Sequence, residues 1–340
     1  MYLYWGLGIL GLVLIVGILN SSFKKFDKRQ VKATIFSGVL GALILLLPLS
    51  WRLYSMKYGW TLFLFYPFSL GFLTSVLFNY NLPRKLSECA GVTLTSLVLT
   101  MILFMLVKFE GAICILMAFP IFVLLGISGA FIGYLFRNSK GNHKCFLMLG
   151  LIILNPMMMG FESRYPKDPP LDMIRTCVVV KAPVQSVWNI LTSHIEYGKN
   201  EGVLFRAGVN YPISSELIFQ QNKYFLKCQT KEGLLMAPVT VFEPNKRLTF
   251  RPLNTPPPMK ELSIYFDIHP AHLDGHFRIQ EGTFSLTSLQ DGSTRLEGIT
   301  LYEHEIWPTQ YWRLWSHWII DRMHRKVLSV IKERTESELK

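Results

Sequence analysis

A chain of 340 residues, half of them hydrophobic, with a net charge of +12 and a mean hydropathy of +0.30, is long enough for two domains and too apolar for one ordinary soluble one. The charge is uneven: residues 1–170 hold 15 Lys and Arg against 5 Asp and Glu, while residues 171–340 hold 20 against 18. A basic excess confined to the loops of an apolar half is a membrane-topology signal and excludes a nucleic-acid surface as its cause.

Six apolar runs follow in order: Tyr2–Leu19, Ala33–Trp51, Tyr58–Phe78, Ala90–Val107, Gly111–Phe136 and Phe146–Gly160. The first five have spanning length, and the sixth is short and contains Pro156. The first run lacks a basic n-region and a small-residue cleavage site, so it reads as a span and not as a signal peptide. The loops after the first, third and fifth runs carry Lys24, Lys25, Lys28, Arg29, Lys32, then Arg84 and Lys85, then Arg137, Lys140 and Lys144. With six spans those loops are cytoplasmic, and the C-terminal half is extracytoplasmic, in an integral protein of a bacterial inner membrane. Loss of the sixth span inverts that side.

Lys108 and Glu110 fall in a tight turn between runs, where both are expected to reach water. No charged residue lies deep in a run, so no proton relay or ion site is indicated. Gly126, Gly129 and Gly133 suit close helix packing. ESRYPKDPP at 162–170 reads as a Pro-rich linker between a helical membrane region (1–161) and a second domain (171–340).

From 171 the pattern changes to strands and turns. Arg175–Ala182 reads as a strand, and Pro183 opens a helix with Val184, Val187, Trp188 and Leu191 on one side. Strands are expected at Ser214–Gln220, Tyr224–Thr230, Leu235–Glu243, Arg247–Leu253, Met259–Phe266, His276–Leu289 and Thr294–Ile306, with Asp291-Gly292 as a hairpin turn. A long helix over Thr309–Glu336 follows Pro308. Its Tyr311, Trp312, Trp315, Trp318, Ile319, Met323 and Val330 share a broad face expected to lie on the sheet. Arg313, His317, Asp321 and His324 share the opposite face. His317, Asp321 and His324 have metal-compatible spacing, but a solvated polar stripe is the expected reading, and no metal or cofactor is expected. Glu303 and Glu305 share one strand face, with His304 on the other. The pair reads as exposed strand surface, not acid–base machinery, and no nucleophile elbow or phosphate loop occurs. The five cysteines show no metal-ligand spacing.

KAPVQSVWNIL at 181–191, FEPNKRLTF at 242–250, DGSTRLEGITLYE at 291–303 and YWRLWSHWIIDRMHRKVLSVIKERTE at 311–336, in that order, resemble the SRPBCC, or START-like, superfamily, which includes polyketide cyclase/dehydrase and lipid-transport proteins. The resemblance spans about 172–337. It implies an α+β helix-grip fold, a curved antiparallel sheet around the C-terminal helix, behind about six transmembrane helices that the soluble members lack. It further implies binding of a lipid or other hydrophobic small molecule, with an enzyme on an apolar substrate or an empty structural or sensory domain as alternatives. The candidate cavity residues are Trp188, Phe205, Tyr311, Trp315, Trp318, Ile319 and Met323. A domain tethered to one membrane cannot shuttle its ligand to another.

Overall fold

A computed structural model describes residues 59–79, 83–106, 108–136, 141–164, 168–198, 202–261 and 275–339, with isolated positions elsewhere. The chain forms two compact units: Met1–Lys167 with Leu262–Pro270, and Asp168–Glu261 with Ala271–Lys340.

In the first unit a π-helical turn, Thr61–Phe65, leads into α1 (Tyr66–Phe78), followed by α2 (Leu86–Leu106), α3 (Ala112–Leu135) and α4 (Gly141–Arg164). Three helices among the described residues are long and apolar enough to cross a membrane: Thr61–Phe78, Leu86–Leu106 and Ala112–Leu135. Six were expected. The first two runs lie outside the described residues, and the apolar part of α4, Phe146–Glu162, is shorter than a span. Helix α4 continues through Glu162 and Ser163 into the expected linker, ending two residues before Pro166, whose ring disfavours helix in the residue ahead of it.

This unit is apolar outside, and hydroxyl-bearing residues are buried among the large apolar side chains inside. Leu116, Leu124 and Phe131 of α3 and Phe146, Ile153 and Met157 of α4 are exposed, while Ser69, Thr74, Ser75, Thr93, Ser96 and Thr100 are buried. Thr74, Ser96 and Thr100 donate to the carbonyls of Leu70, Val92 and Ser96, so their hydroxyls need no water. The α1–α3 crossing rests on glycine: a Cβ on Gly129 would stand 2.0 Å from the Phe68 carbonyl oxygen, and one on Gly71 would stand 1.9 Å from that of Gly126. Only backbone fits there, as Gly126, Gly129 and Gly133 suggested. At the entrance to the π turn the Glu162 carboxylate accepts from the Thr61 N–H at 3.1 Å, placing negative charge at a helix N-terminus. Glu110 is buried, contrary to the expected solvent contact.

The second unit contains β1 (Leu171–Val180), α5 (Val184–Thr192), β2 (Ile195–Glu196), α6 (Val203–Ala207), β3 (Pro212–Gln220), β4 (Lys223–Thr230), β5 (Gly233–Glu243), β6 (Arg247–Phe250), β7 (Phe277–Ser288), β8 (Thr294–His304) and α7 (Thr309–Glu338). One eight-stranded sheet runs β1-β8-β7-β6-β5-β4-β3-β2, antiparallel throughout. Its register shifts near Pro212, Val239 and Ile279, and such bulges bend strands. The sheet with its long C-terminal helix is the helix-grip arrangement.

The expected strand at Met259–Phe266 is not found in its described part. Met259 makes one isolated bridge to Val209; Lys260 and Glu261 are irregular, and Leu262, Ile264 and Phe266 lie outside the described residues. β6 stops at Phe250, ahead of Pro252, which has no N–H to continue a ladder.

Alternation gives the sheet two faces. The inner one carries Val180, Leu248, Leu286 and Leu296, and packs on α5 through Val187, Trp188 and Leu191 and on α7 through Val327, Leu328 and Ile331. Four strands separate Cys228, on β4, from β1, which carries the exposed Cys177, and both thiols are free.

The roll of α7 about its axis differs in part from the expected one: Trp312, Met323 and Val330 of the expected face pack inward, but Trp318 is exposed. Its sheet-facing side carries Ile320, Val327, Leu328, Ile331 and the polar residues Arg313, His317, Asp321 and His324, while Leu314 and Trp318 are 68% and 43% exposed. The polar residues meet partners on β1 and β8. The Thr176 hydroxyl donates to Asp321 Oδ1 at 2.8 Å and lies 3.2 Å from His324 Nδ1. His324 Nε2 is 2.8 Å from the Thr300 hydroxyl, and Arg325 Nε donates to Asp321 Oδ2 at 2.6 Å. Since Thr176 spends its proton on Asp321, His324 donates from Nδ1–H and accepts at Nε2 from Thr300. The ring packs over Gly298, where a Cβ would meet it at an ordinary contact distance of 3.6 Å. Hydrophobicity alone misplaces the face, because Asp321 and His324 are half-buried with their sheet partners already made.

Two outcomes follow from this packing. Gly129→Leu must force α1 and α3 apart, and the full chain in detergent should lose monodispersity on size exclusion, whereas Leu124→Ala on the exposed side should leave it unchanged. Burial lowers the His324 pKa from 6.5 to about 4, so the folded state holds the ring neutral while the unfolded state protonates it below 6.5. Stability is then full above pH 6.5 and falls between 6.5 and about 4, by at most ~3 kcal/mol. Unfolding midpoints of His324→Gln should show a shallower acid limb than the parent chain.

Candidate functional site

The seam between α7 and the sheet continues toward the helix N-terminus, and there its character changes. Asp172 and Tyr302 are register partners on β1 and β8, so their side chains share the inner face, and His304, two residues on, shares it too. Arg313, Ser316 and His317, spaced by three and four, project from the first turns of α7 toward the same place. Arg313 Nη1 stands 3.4 Å from Asp172 Oδ1, and the Tyr302 ring centroid is 6.2 Å from that of His304 and 6.0 Å from that of His317. Ile174, Ile320, Phe277 and Met323 form the apolar wall around Tyr302.

The group is buried, with Tyr302 at 0%, His304 at 2% and Asp172 at 9% exposure. Yet Asp172 Oδ2, the Tyr302 hydroxyl and His317 Nε2 have no hydrogen-bond partner among the described residues, and the His304 ring nitrogens approach the Ile306 backbone without meeting hydrogen-bond geometry. Ser316 faces the Tyr302 hydroxyl without meeting hydrogen-bond geometry. Each such atom costs roughly 1–3 kcal/mol if left dry.

Burial pushes the Tyr302 hydroxyl well above the usual phenol range, reinforced by the Asp172 carboxylate, so it stays protonated. Burial also holds His304 below the ordinary imidazole range, against the opposing pull of Asp172. The site therefore presents a neutral imidazole and a phenol beside a carboxylate whose charge Arg313 offsets. It can donate to and accept from an uncharged polar group, and it can exchange a proton with one.

The seven sequence-derived candidates disperse. Met323 borders this cluster. Trp188 lies in the core, edge-on to Phe242 at 5.4 Å, and Phe205 is buried edge-on to Tyr211 at 5.9 Å. Tyr311, Trp315 and Ile319 are half-buried and Trp318 is exposed, with the Arg322 guanidinium 5.7 Å from its ring. Glu303 and Glu305 are on the outer face, both ion-paired to Arg278. His317, Asp321 and His324 do not converge, and no group of three metal-binding side chains occurs among the described residues.

The sequence reading passed over Asp172, Tyr302 and His304. The usable signal was strand parity: Leu296 and Tyr302 differ by an even number, and His304 follows in the same phase.

The outer face holds a trough of about 600 Å³ across β1, β8, β7, β6 and β5, lined by Arg175, Arg247, Arg251, Thr283 and Glu297 among others. Arg251 pairs with Glu281 at 3.1 Å and Glu297 with Arg295 at 2.9 Å, so much of its charge is already neutralised.

No protein-family model matches the chain, and no curated protein matches it. Among solved structures it is similar to the Zhui aromatase/cyclase from Streptomyces sp. R1128 (13% identity, 50% of this chain and 97% of that one, TM-score 0.34). It is similar also to norcoclaurine synthase from Thalictrum flavum (9%, 51% and 99%, TM-score 0.34) and to the di-domain aromatase/cyclase of the steffimycin biosynthetic pathway (12%, 59% and 62%, TM-score 0.32). Likeness at these scores says nothing of what this chain binds or turns over.

Proposed function

We propose that this protein is anchored in a membrane by its first unit and binds a lipid or other apolar small molecule in the helix-grip domain, with the ligand's polar end at Asp172, Tyr302, His304 and His317. The carrying observation is the gathering of unpartnered buried polar atoms from β1, β8 and α7 beside an apolar wall. A core built only for stability would not keep five such atoms dry, and a bound polar group supplies their missing partners. The apolar exteriors of α2, α3 and α4 support the anchoring, because a surface of that kind in water would drive aggregation. Met323, at the cluster's edge, is the sequence-derived candidate that supports contact with the apolar part.

The second reading is an enzyme on the same ligand class. It is favoured by one feature, a neutral imidazole beside a protonated phenol, the pair that general acid–base chemistry uses.

The test purifies the full chain from its native membrane and identifies co-purifying small molecules by mass spectrometry. Tyr302→Phe combined with His304→Leu should lose the ligand at least several-fold and raise the unfolding midpoint, by about 1–2 kcal/mol of stability, since costly polar atoms are replaced by apolar ones. A destabilised variant that keeps its ligand would refute the assignment of these residues. The enzymatic reading predicts that His304→Gln retains the ligand but leaves it chemically unprocessed.

A further inference from the structure

The tryptophans of α7 that turn away from the sheet require their own explanation. At 100° per residue, Tyr311, Leu314, Trp315, Trp318, Arg322, Arg325 and Lys326 all fall within about 60° of the direction opposite Ile320, which is buried on the sheet side. Along this strip the first two turns are aromatic or aliphatic, the next two are basic, and Glu333 and Glu336 come last. Leu314 is 68% exposed and Trp318 43%, while Tyr311 and Trp315 are half-buried. The Arg322 guanidinium lies over the Trp318 ring, 5.7 Å from its centroid.

Three facts narrow the occupant. Three helices among the described residues have membrane-spanning length, and only six residues separate the end of α4 from β1, so the second unit works within a short reach of any bilayer that holds the first. Trp and Tyr favour the boundary between headgroups and acyl chains, where one end of the ring is apolar and the other wet. Arg and Lys one or two turns away complement anionic phosphates.

We infer that the outward strip of α7 is the surface by which the second unit rests on the bilayer, with Leu314, Trp315 and Trp318 in the headgroup–acyl boundary and Arg322 and Lys326 at the phosphates. This surface is independent of the ligand site, because the strip lies on the other side of the helix from Tyr302 and His304. Contact with lipid there puts the helix that closes the domain at the source of apolar molecules, and a composition rich in anionic lipid strengthens it.

The experiment uses the full chain, its native cysteines replaced, reconstituted into phosphatidylcholine/phosphatidylglycerol vesicles. A single nitroxide is placed by Leu314→Cys, by Leu124→Cys on the exposed side of α3, or by Glu333→Cys further along the α7 strip. Collision with oxygen and with a water-soluble nickel complex is read at each. The inference expects the label at 314 to favour oxygen over nickel several-fold, as at 124, and the label at 333 to show the reverse. Adding Trp315→Ser and Trp318→Ser, which touch no core cluster, should return the label at 314 to water with the unfolding midpoint unchanged. A label at 314 as open to nickel as the one at 333 overturns the inference. Shielding from both reagents also overturns it and assigns the strip to a protein partner. A water-exposed label at 124 would instead sink the membrane reading on which this rests, while leaving the ligand site untouched.

Discussion

The second unit depends on the relay Thr300–His324–Thr176–Asp321–Arg325, because it fixes how α7 is rolled on the sheet. The helix offers large apolar side chains on nearly every side, so hydrophobic burial discriminates weakly between one roll and another. Hydrogen bonds discriminate sharply. Turning the helix by one residue, about 100°, would leave Thr176 facing a side chain unable to complete it, and would strand the Asp321 carboxylate.

One consequence of that roll is a seam with two ends. From Asp321 toward the C-terminus every polar group facing the sheet has its partner, and the apolar residues Val327, Leu328 and Ile331 close the core. From His317 toward the N-terminus the same face meets Tyr302, His304 and Asp172 and leaves bonding capacity open. The two ends lie on the same strands and the same helix, so sheet geometry does not explain the difference. It comes from residue choice. Thr176 and Thr300 are short hydroxyls that reach one atom each, whereas Tyr302 and His304 are rings whose polar ends extend past the neighbours that could complete them.

Much of this architecture was legible. Strand alternation, the Asp-Gly hairpin and the proline before α7 placed most of the elements, since each is a local preference that tertiary context had no reason to override. The glycines of α3 read correctly as contact residues, because small side chains in an apolar run have few other uses. The roll of α7 was misread for a definite reason. A helical wheel ranks residues by their aversion to water, and His324 is as averse as a leucine once Thr176 and Thr300 meet it, yet Thr176 lies 148 residues away in sequence. The bulges near Val239 and Ile279, which re-phase the alternation midway along β5 and β7, left no mark that composition could reveal. The candidate site suffered from the helix roll, because its β1 and β8 residues keep an unbroken strand phase.

The open end of the seam also bears on energetics. A domain is stable by only about 5–15 kcal/mol, and five buried polar atoms without partners would consume most of that. Ordered water can complete them only if it finds two to four partners, and the cluster offers donors and acceptors at the right density for this. Water held in that way is not an alternative to a ligand. A hydroxyl or carbonyl oxygen makes the same hydrogen bonds as the water it displaces, while the chain attached to it adds apolar area removed from solvent against Ile174, Phe277, Ile320 and Met323. The satisfied relay next door makes such a site tolerable: it fixes the position of α7 whether the open end is wet or filled, so exchange there need not loosen the helix from the sheet.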